Sequence, residues 1–345
     1  MGIWLFRAGS RGQYEEKFLT DGRIYLTWDN LDINLADYKD RKKLLSKLTE
    51  LYPSEKPKTI TNWASQIYPI AHRIEISDWI VLPSKISSTI HIGRVKGDYI
   101  YDISASDPYR HYREVEWFAP DIPRNNFDQD ILYSFGAFMT VCKITRNDAE
   151  NRLKAMEKNN WKVPFTNISS FPDSTDKDYE TTTDIKLAAE DAIAKFILQK
   201  FKGYKMEELI REILEAKGFT VYHSKQGPDG GKDLLAAGGT MGFGSPKICV
   251  QVKTQDEPID RPVLDQLGGL MNKVGAEYGL LVSWNGFKSS VEKERGNQFF
   301  RIRLWDSNDV INELFDNYEK LSPEIKTEIP LKRIWMLNDD ELTNN

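Results

Sequence analysis

At 345 residues the chain is too long for one typical domain and leaves room for two, each with its own core. Nine Trp, 15 Tyr and 16 Phe exclude wholesale disorder, and a formal net charge of -5 does not mark a polycation, although a nuclease needs only a local basic surface. Two distant cysteines, Cys142 and Cys249, read as free thiols of a reducing compartment, and four scattered histidines (His72, His91, His111, His223) argue against zinc.

Residues 3–7 and 23–28 read as strands. Residues 38–51 carry Leu44, Leu45, Leu48 and Leu51 at helical spacing, and Pro53 stops that helix. A second helical stretch, 59–70, carries Trp63 and Ile67. Short β-rich runs follow at 79–83, 91–96, 99–103 and 113–118, as a small barrel or strongly bent sheet requires. Residues 127–141 and 147–156 look helical and close the first unit. Residues 159–184, with Pro164, Pro172 and Ser and Thr clusters, read as an exposed linker.

Beyond the linker come helices at 187–202 and 206–217, the second ended by Gly218, and strands at 219–223, 233–237 and 247–254. Then follow a helix at 263–274, a strand at 278–284, a helix at 289–299, a strand at 301–305 and a helix at 307–318 capped by Asp306 or Ser307. That order implies an α/β sandwich with a mixed sheet. The expected domains are 1–158 and 185–323, joined by 159–184 and followed by a loose polar tail, 324–345. No segment approaches the roughly 20 apolar residues of a membrane span, so a cytoplasmic protein is expected.

The densest chemistry lies between Gly227 and Lys253. Asp233 stands at the start of one apolar strand, and Gln251 and Lys253 share one face of the next. Ile248, Val250 and Val252 point the other way, into a core. A carboxylate, a second oxygen ligand and a lysine on one surface can hold a divalent cation and activate a water for phosphodiester cleavage. A Gln-x-Lys pair alone is ordinary strand surface, and Asp229 in Asp-Gly-Gly is turn chemistry. Gly238, Gly239, Gly242 and Gly244 read as a hairpin, because Ser245-Pro246 leads into a strand where a dinucleotide loop would open a helix.

From about Leu187 to Leu321 the chain resembles the Mrr-like restriction endonucleases, a branch of the PD-(D/E)XK nucleases. The features carrying this likeness are the helix ending at Gly218-Phe219, the Gly-rich turn leading to Asp233, Gln251-Val252-Lys253 as the Gln-x-Lys form of the signature, and the strand 279–283 followed by Asn285-Gly286-Phe287. The resemblance implies that Asp233 and Gln251 bind Mg²⁺ (or Mn²⁺) and that Lys253 orients the attacking water and stabilises charge on the phosphate. It also implies that Glu207, or its neighbour Glu208, is a helix glutamate supporting the metal. Gln in place of the family's second acid removes one negative charge from that site.

The N-terminal part resembles the EVE-like branch of PUA-like β-barrel domains. The residues concerned are Ile3-Trp4-Leu5-Phe6-Arg7, Leu26-Thr27-Trp28, the helix around Trp63, Ser77 to Pro83, Ile92 to Val95 and Tyr99 to Asp102. This likeness implies a pocket taking a flipped or modified base between aromatic rings, with Trp28, Trp63 and Tyr101 as the candidates. Arg110, His111 and Arg113 are expected on a loop between strands, where the arginines would grip phosphate. The combined expectation is a Mg²⁺-dependent, modification-dependent DNA endonuclease of prokaryotic antiphage defence, acting on DNA as a homodimer with no membrane partner. Two alternatives stay open: an inactive nuclease fold serving as a sensor, or a nuclease whose N-terminal domain binds RNA, a nucleotide signal or a protein.

Overall fold

The computed structural model describes residues 1–136, 139–162, 185–224 and 232–334. Its N-terminal half contains β1 (Ile3–Phe6), α1 (Glu15–Asp21), β2 (Arg23–Tyr25), α2 (Arg41–Leu51), α3 (Pro57–His72), β3 (Trp79–Pro83) and β4 (Thr89–Val95). β5 (Ile100–Tyr101), β6 (His111–Pro123), α4 (Gln129–Phe135), β7 (Val141–Lys143) and α5 (Ala149–Lys158) follow. Asp40 caps α2 by accepting from Lys42 N–H at 2.9 Å, and Pro57 opens α3, where a missing N–H costs nothing.

Among the described residues these strands form one seven-stranded sheet in the order β2-β6-β4-β3-β1-β7, with β5 added on β6. Central strand β3 is buried along its whole length, and its side chains divide between two cores. Ile80 and Leu82 join Phe6, Leu44, Leu48 and Ile67 under α2 and α3, whereas Trp79 and Val81 meet Leu5, Phe127, Phe135 and Leu153 under α4 and α5. Register shifts between Ile90 and Ile92 and between Ile92 and Arg94 bend the β4–β6 pair. The bend agrees with the expected small barrel or strongly bent sheet; among the described residues the strand order runs from β2 to β7 without a pairing between those two strands. The helix expected through 141 stops at Phe135, because Val141 pairs with Phe6 and is drawn into the sheet.

The C-terminal half runs α6 (Ile185–Lys200), α7 (Tyr204–Ala216), β8 (Thr220–His223), β9 (Leu234–Gly238), β10 (Gly244–Lys253), α8 (Arg261–Val274) and β11 (Tyr278–Ser283). α9 (Ser289–Glu292), α10 (Glu294–Asn297), β12 (Ile302–Trp305), α11 (Ser307–Asn317) and α12 (Pro323–Glu328) complete it. The described strands form a five-stranded sheet, β12-β11-β10-β9-β8. It is mixed as expected, with β10, β11 and β12 parallel and β8 and β9 antiparallel. α6, α7, α11 and α12 cover one face through Ile197, Leu209, Ile213, Leu314 and Ile325, and α8 covers the other through Leu264, Leu267 and Met271.

The tail expected to be loose after Pro323 is corrected over its described part, since Ile329 is wholly buried in the core and Ile325 nearly so. The expected linker falls mostly on 163–184, outside the described residues. Trp161, near its start, lies against Trp79 and Phe118.

Candidate active site

The glycine-rich hairpin between β9 and β10, with Gly239 and Gly242 at φ +80 and +72, sets the register that brings the candidate residues together. Leu234 pairs with Val250, and Asp233 N–H donates to Val250 O at 3.2 Å, so Asp233 arrives at the C-terminal end of β10. There Val252 N–H donates to Asp233 Oδ2 at 2.6 Å, and Lys253 Nζ stands 3.9 Å from the same oxygen. Val250 and Val252 enter the core under α7 and Ile248 packs against it, as strand alternation requires. Gln251 faces the other way, on the side of Cys249, and is only 2% exposed, whereas Lys253 is partly open to solvent.

α7 supplies the second carboxylate. Gly203 N–H, just before α7, donates to Thr254 Oγ1 at 3.0 Å, which ties the first turn of the helix to the residue after Lys253. Glu207 in that turn bonds His223 Nε2, at the end of β8, at 2.9 Å. Burial pushes the Asp233 carboxyl above its usual range; the Val252 N–H and the Lys253 ammonium oppose that rise, and the charge of Glu207 adds to it. The structure therefore brings Asp233, Lys253 and Glu207 into one electrostatic neighbourhood.

Among the described residues no group of three or more His, Cys, Asp and Glu forms a ready-made metal cage. The donors present are nevertheless hard oxygens, which suit Mg²⁺ or Mn²⁺ far better than zinc. A carboxylate destabilised by burial and by a second carboxylate is one that a cation would relieve. On that observation the Asp233 carboxylate fits a divalent ion, with Glu207 as the nearby negative charge that the ion would offset.

In the N-terminal half Trp28 and Trp63 do meet, with ring centroids 6.5 Å apart at 78°, and Tyr52 packs edge-on against Trp63 at 5.2 Å. Tyr101 instead stacks on His111 at 5.0 Å, and among the described residues no ring contact joins it to the tryptophans. The backbone of 29–35 links the two groups: Tyr52 donates to Asp29 O, and His111 Nε2 donates to Leu31 O at 2.7 Å. With Nε2 donating to Leu31 O, a neutral ring has Nδ1 as the acceptor of the Tyr99 hydroxyl, also at 2.7 Å, and burial lowers the pKa of this imidazole, which favours that form.

The expectation for Arg113 is overturned. It lies on β6, not a loop, is 4% exposed, and spends Nε on Ile70 O and Nη1 on Gly97 O. A guanidinium so buried is not open to a phosphate. Arg110 precedes the strand, partly exposed, and pairs with Asp32 and Asp107.

Sequence reasoning missed Tyr204 and His223, whose rings stack 4.2 Å apart at 11° beside Glu207. The available signal was a histidine closing the strand before the Gly-rich turn.

Residues 198–314 match a family described as restriction endonuclease (Mrr_cat), and residues 4–144 match one described as a domain of unknown function (DUF8426). The C-terminal region thus carries a restriction-endonuclease domain, and the N-terminal match, to a domain of unknown function, does not confirm the EVE-like or PUA-like resemblance. Among solved structures, the chain is similar to "DNA modification-dependent restriction endonuclease AspBHI" at 14% identity and TM-score 0.32 over 73% of this chain; it spans 66% of that one, just under two thirds. It is also similar to "MspJI Restriction Endonuclease in Complex with 27-mer Oligonucleotide" at 12% identity and TM-score 0.31, over 94% of this chain and 77% of that one. At such scores these likenesses carry no argument. No curated protein matches.

Proposed function

We propose that the chain is a divalent-metal-dependent DNA endonuclease of antiphage defence, whose N-terminal domain selects DNA carrying modified bases and whose C-terminal domain cuts. The observation supporting it most is the Asp233 carboxylate held by Val252 N–H beside Lys253, within a restriction-endonuclease domain. A bound Mg²⁺ or Mn²⁺ would supply Lewis acidity to the phosphate and lower the pKa of a water. The protein would supply the rest: Asp233 and Gln251 would hold the ion with Glu207 supporting it, and the Lys253 ammonium would orient the attacking water and stabilise negative charge on the phosphate. Trp28 and Trp63, part-exposed on the first core, are the rings on which a base taken out of the stack would rest, with Tyr101, stacked on His111, as the third candidate ring. One such site cuts one strand, so a double-strand break needs two protomers, for which a homodimer is the simplest arrangement.

The test is a cleavage assay on matched methylated and plain DNA with Mg²⁺ or EDTA. Asp233→Ala and Lys253→Ala are each expected to abolish cutting by a factor of about 10³ or more while circular dichroism and DNA binding persist. Near-wild-type cutting by either variant overturns the site. A second reading, a nuclease fold that binds without cutting, is favoured by the burial of Gln251, and absence of metal-dependent cleavage by the wild type would establish it.

A further inference from the structure

We propose that His223 is a positioning residue of this site, fixing the Glu207 carboxylate at the end of the sheet where Asp233 lies and thereby setting how tightly the site takes a divalent cation; the inference rests on the endonuclease reading above. Three elements converge to make the arrangement. Tyr204 and Glu207, three residues apart on α7, present to the same side of the helix, and both address the imidazole of His223. Tyr204 covers the ring face at 4.2 Å and 11°, and Glu207 Oε2 accepts from Nε2 at 2.9 Å. A carboxylate oxygen only accepts, so the ring nitrogen is the donor.

His223 is placed by the sheet, not by chance contact. It pairs in register with Leu234, the residue after Asp233, and Ser224 N–H donates to Asp233 O at 3.0 Å. The His223 backbone therefore stands one residue from Asp233 on the neighbouring strand. Side-chain exposures of 11% for His223 and 19% for Glu207 leave the pair mostly shielded, which strengthens a charge-assisted bond. With one carboxylate oxygen engaged by the ring, Glu207 loses rotamer freedom and its other oxygen stays available to a ligand. Without the ring, Glu207 would sample several rotamers and would repel Asp233 less predictably. Partners of this kind typically change metal affinity by about 10–100-fold when removed.

The experiment is Mn²⁺ titration of the full-length, DNA-free protein, with free Mn²⁺ followed by electron paramagnetic resonance. The variants are Asp233→Ala, His223→Ala and His223→Gln, each checked for a native thermal transition. Wild type is expected to bind and Asp233→Ala to lose binding. His223→Ala should bind about 10-fold or more weakly, and His223→Gln, whose amide can still donate to Glu207, should recover to within about 3-fold of wild type. Binding by His223→Ala equal to wild type, or a His223→Gln as weak as His223→Ala, overturns the positioning role. If instead wild type does not bind, or Asp233→Ala binds like wild type, the metal-site reading itself fails, and with it this inference.

Discussion

Gln251 occupies a position where an acid would place a charge in a site only 2% exposed, so its neutrality has an energetic reason in the metal-free protein. Gln251→Glu is expected to lower stability in EDTA by on the order of 2 kcal/mol, because the new carboxylate must be desolvated or protonated. Mg²⁺ should restore most of that loss and cleavage should persist, while Gln251→Ala should lose cleavage. Thermal melts with and without Mg²⁺ check this; a Gln251→Glu melting shift that ignores the ion counts against a ligand role. Asp309 offers a pH-dependent counterpart at the start of α11. Burial, and then the charge of Asp306, push its carboxyl from 3.8 up to about 6. A raised folded-state pKa means its favourable contribution is complete below the unfolded value and is lost as pH rises through about 6. Asp309→Asn should therefore stabilise the protein above that window by about 1–2 kcal/mol, allowing for partial solvent screening, with the advantage vanishing below about pH 4. Urea denaturation across that range reads it directly.

Among the elements, those with a strong local pattern were legible in advance. β3 was read with its observed ends, and Asp233 and Lys253 could be singled out because alternation on one strand and the order of the surrounding strands are local facts. Three elements escaped. α1 is seven residues, β7 three and α12 six, each too short to show a period, and each is held by tertiary contacts. The same limit hid the Tyr204–His223–Glu207 arrangement, which exists only because α7 folds back on β8. It also misplaced Arg113, whose burial depends on Ile70 at the end of α3. α12 gives the sharpest check of such contacts. Ile329, just past its end, is wholly buried, so Ile329→Ala should cost about 2–5 kcal/mol. Lys326→Ala on the same short helix should stay within about 0.5 kcal/mol. Equal, small effects in chemical denaturation would mean the segment is not docked.

At the scale of the whole molecule, the two halves are joined by buried and part-buried polar contacts as well as by the chain between them. Arg124, in the 3-10 turn after β6, donates to both oxygens of Asp191 on α6 at 2.5 and 2.9 Å, with both side chains under a tenth exposed. The β3–β4 turn reaches the N-terminus of α11: Ser88 N–H donates to the cap residue Asp306 at 2.7 Å, and Ser307 Oγ meets Ser88 Oγ at 2.8 Å. Asp121 of β6 accepts from the backbone and hydroxyl of Ser289 at the start of α9. These partners are up to 219 positions apart, so no local pattern announced them, and a composition shift at 159–184 suggested only two units joined flexibly. Their burial alters what fragments should do. A piece ending near 158 would expose Arg124 without Asp191, and a piece starting near 187 would bury Asp191 without its cation or expose it to water. Breaking a buried bidentate pair from one side costs about 3–5 kcal/mol, much of it the penalty on the charge left behind. Arg124→Ala and Asp191→Ala should each destabilise by that amount, and the double variant by clearly less than the sum, because the stranded charge is then gone. A double-mutant cycle in urea measures the coupling. The wild type should melt in a single transition, and the single variants should separate into two as the halves lose their mutual support. Additive effects and an unchanged single transition would show that the pair holds nothing together, and flexible joining would again describe the molecule.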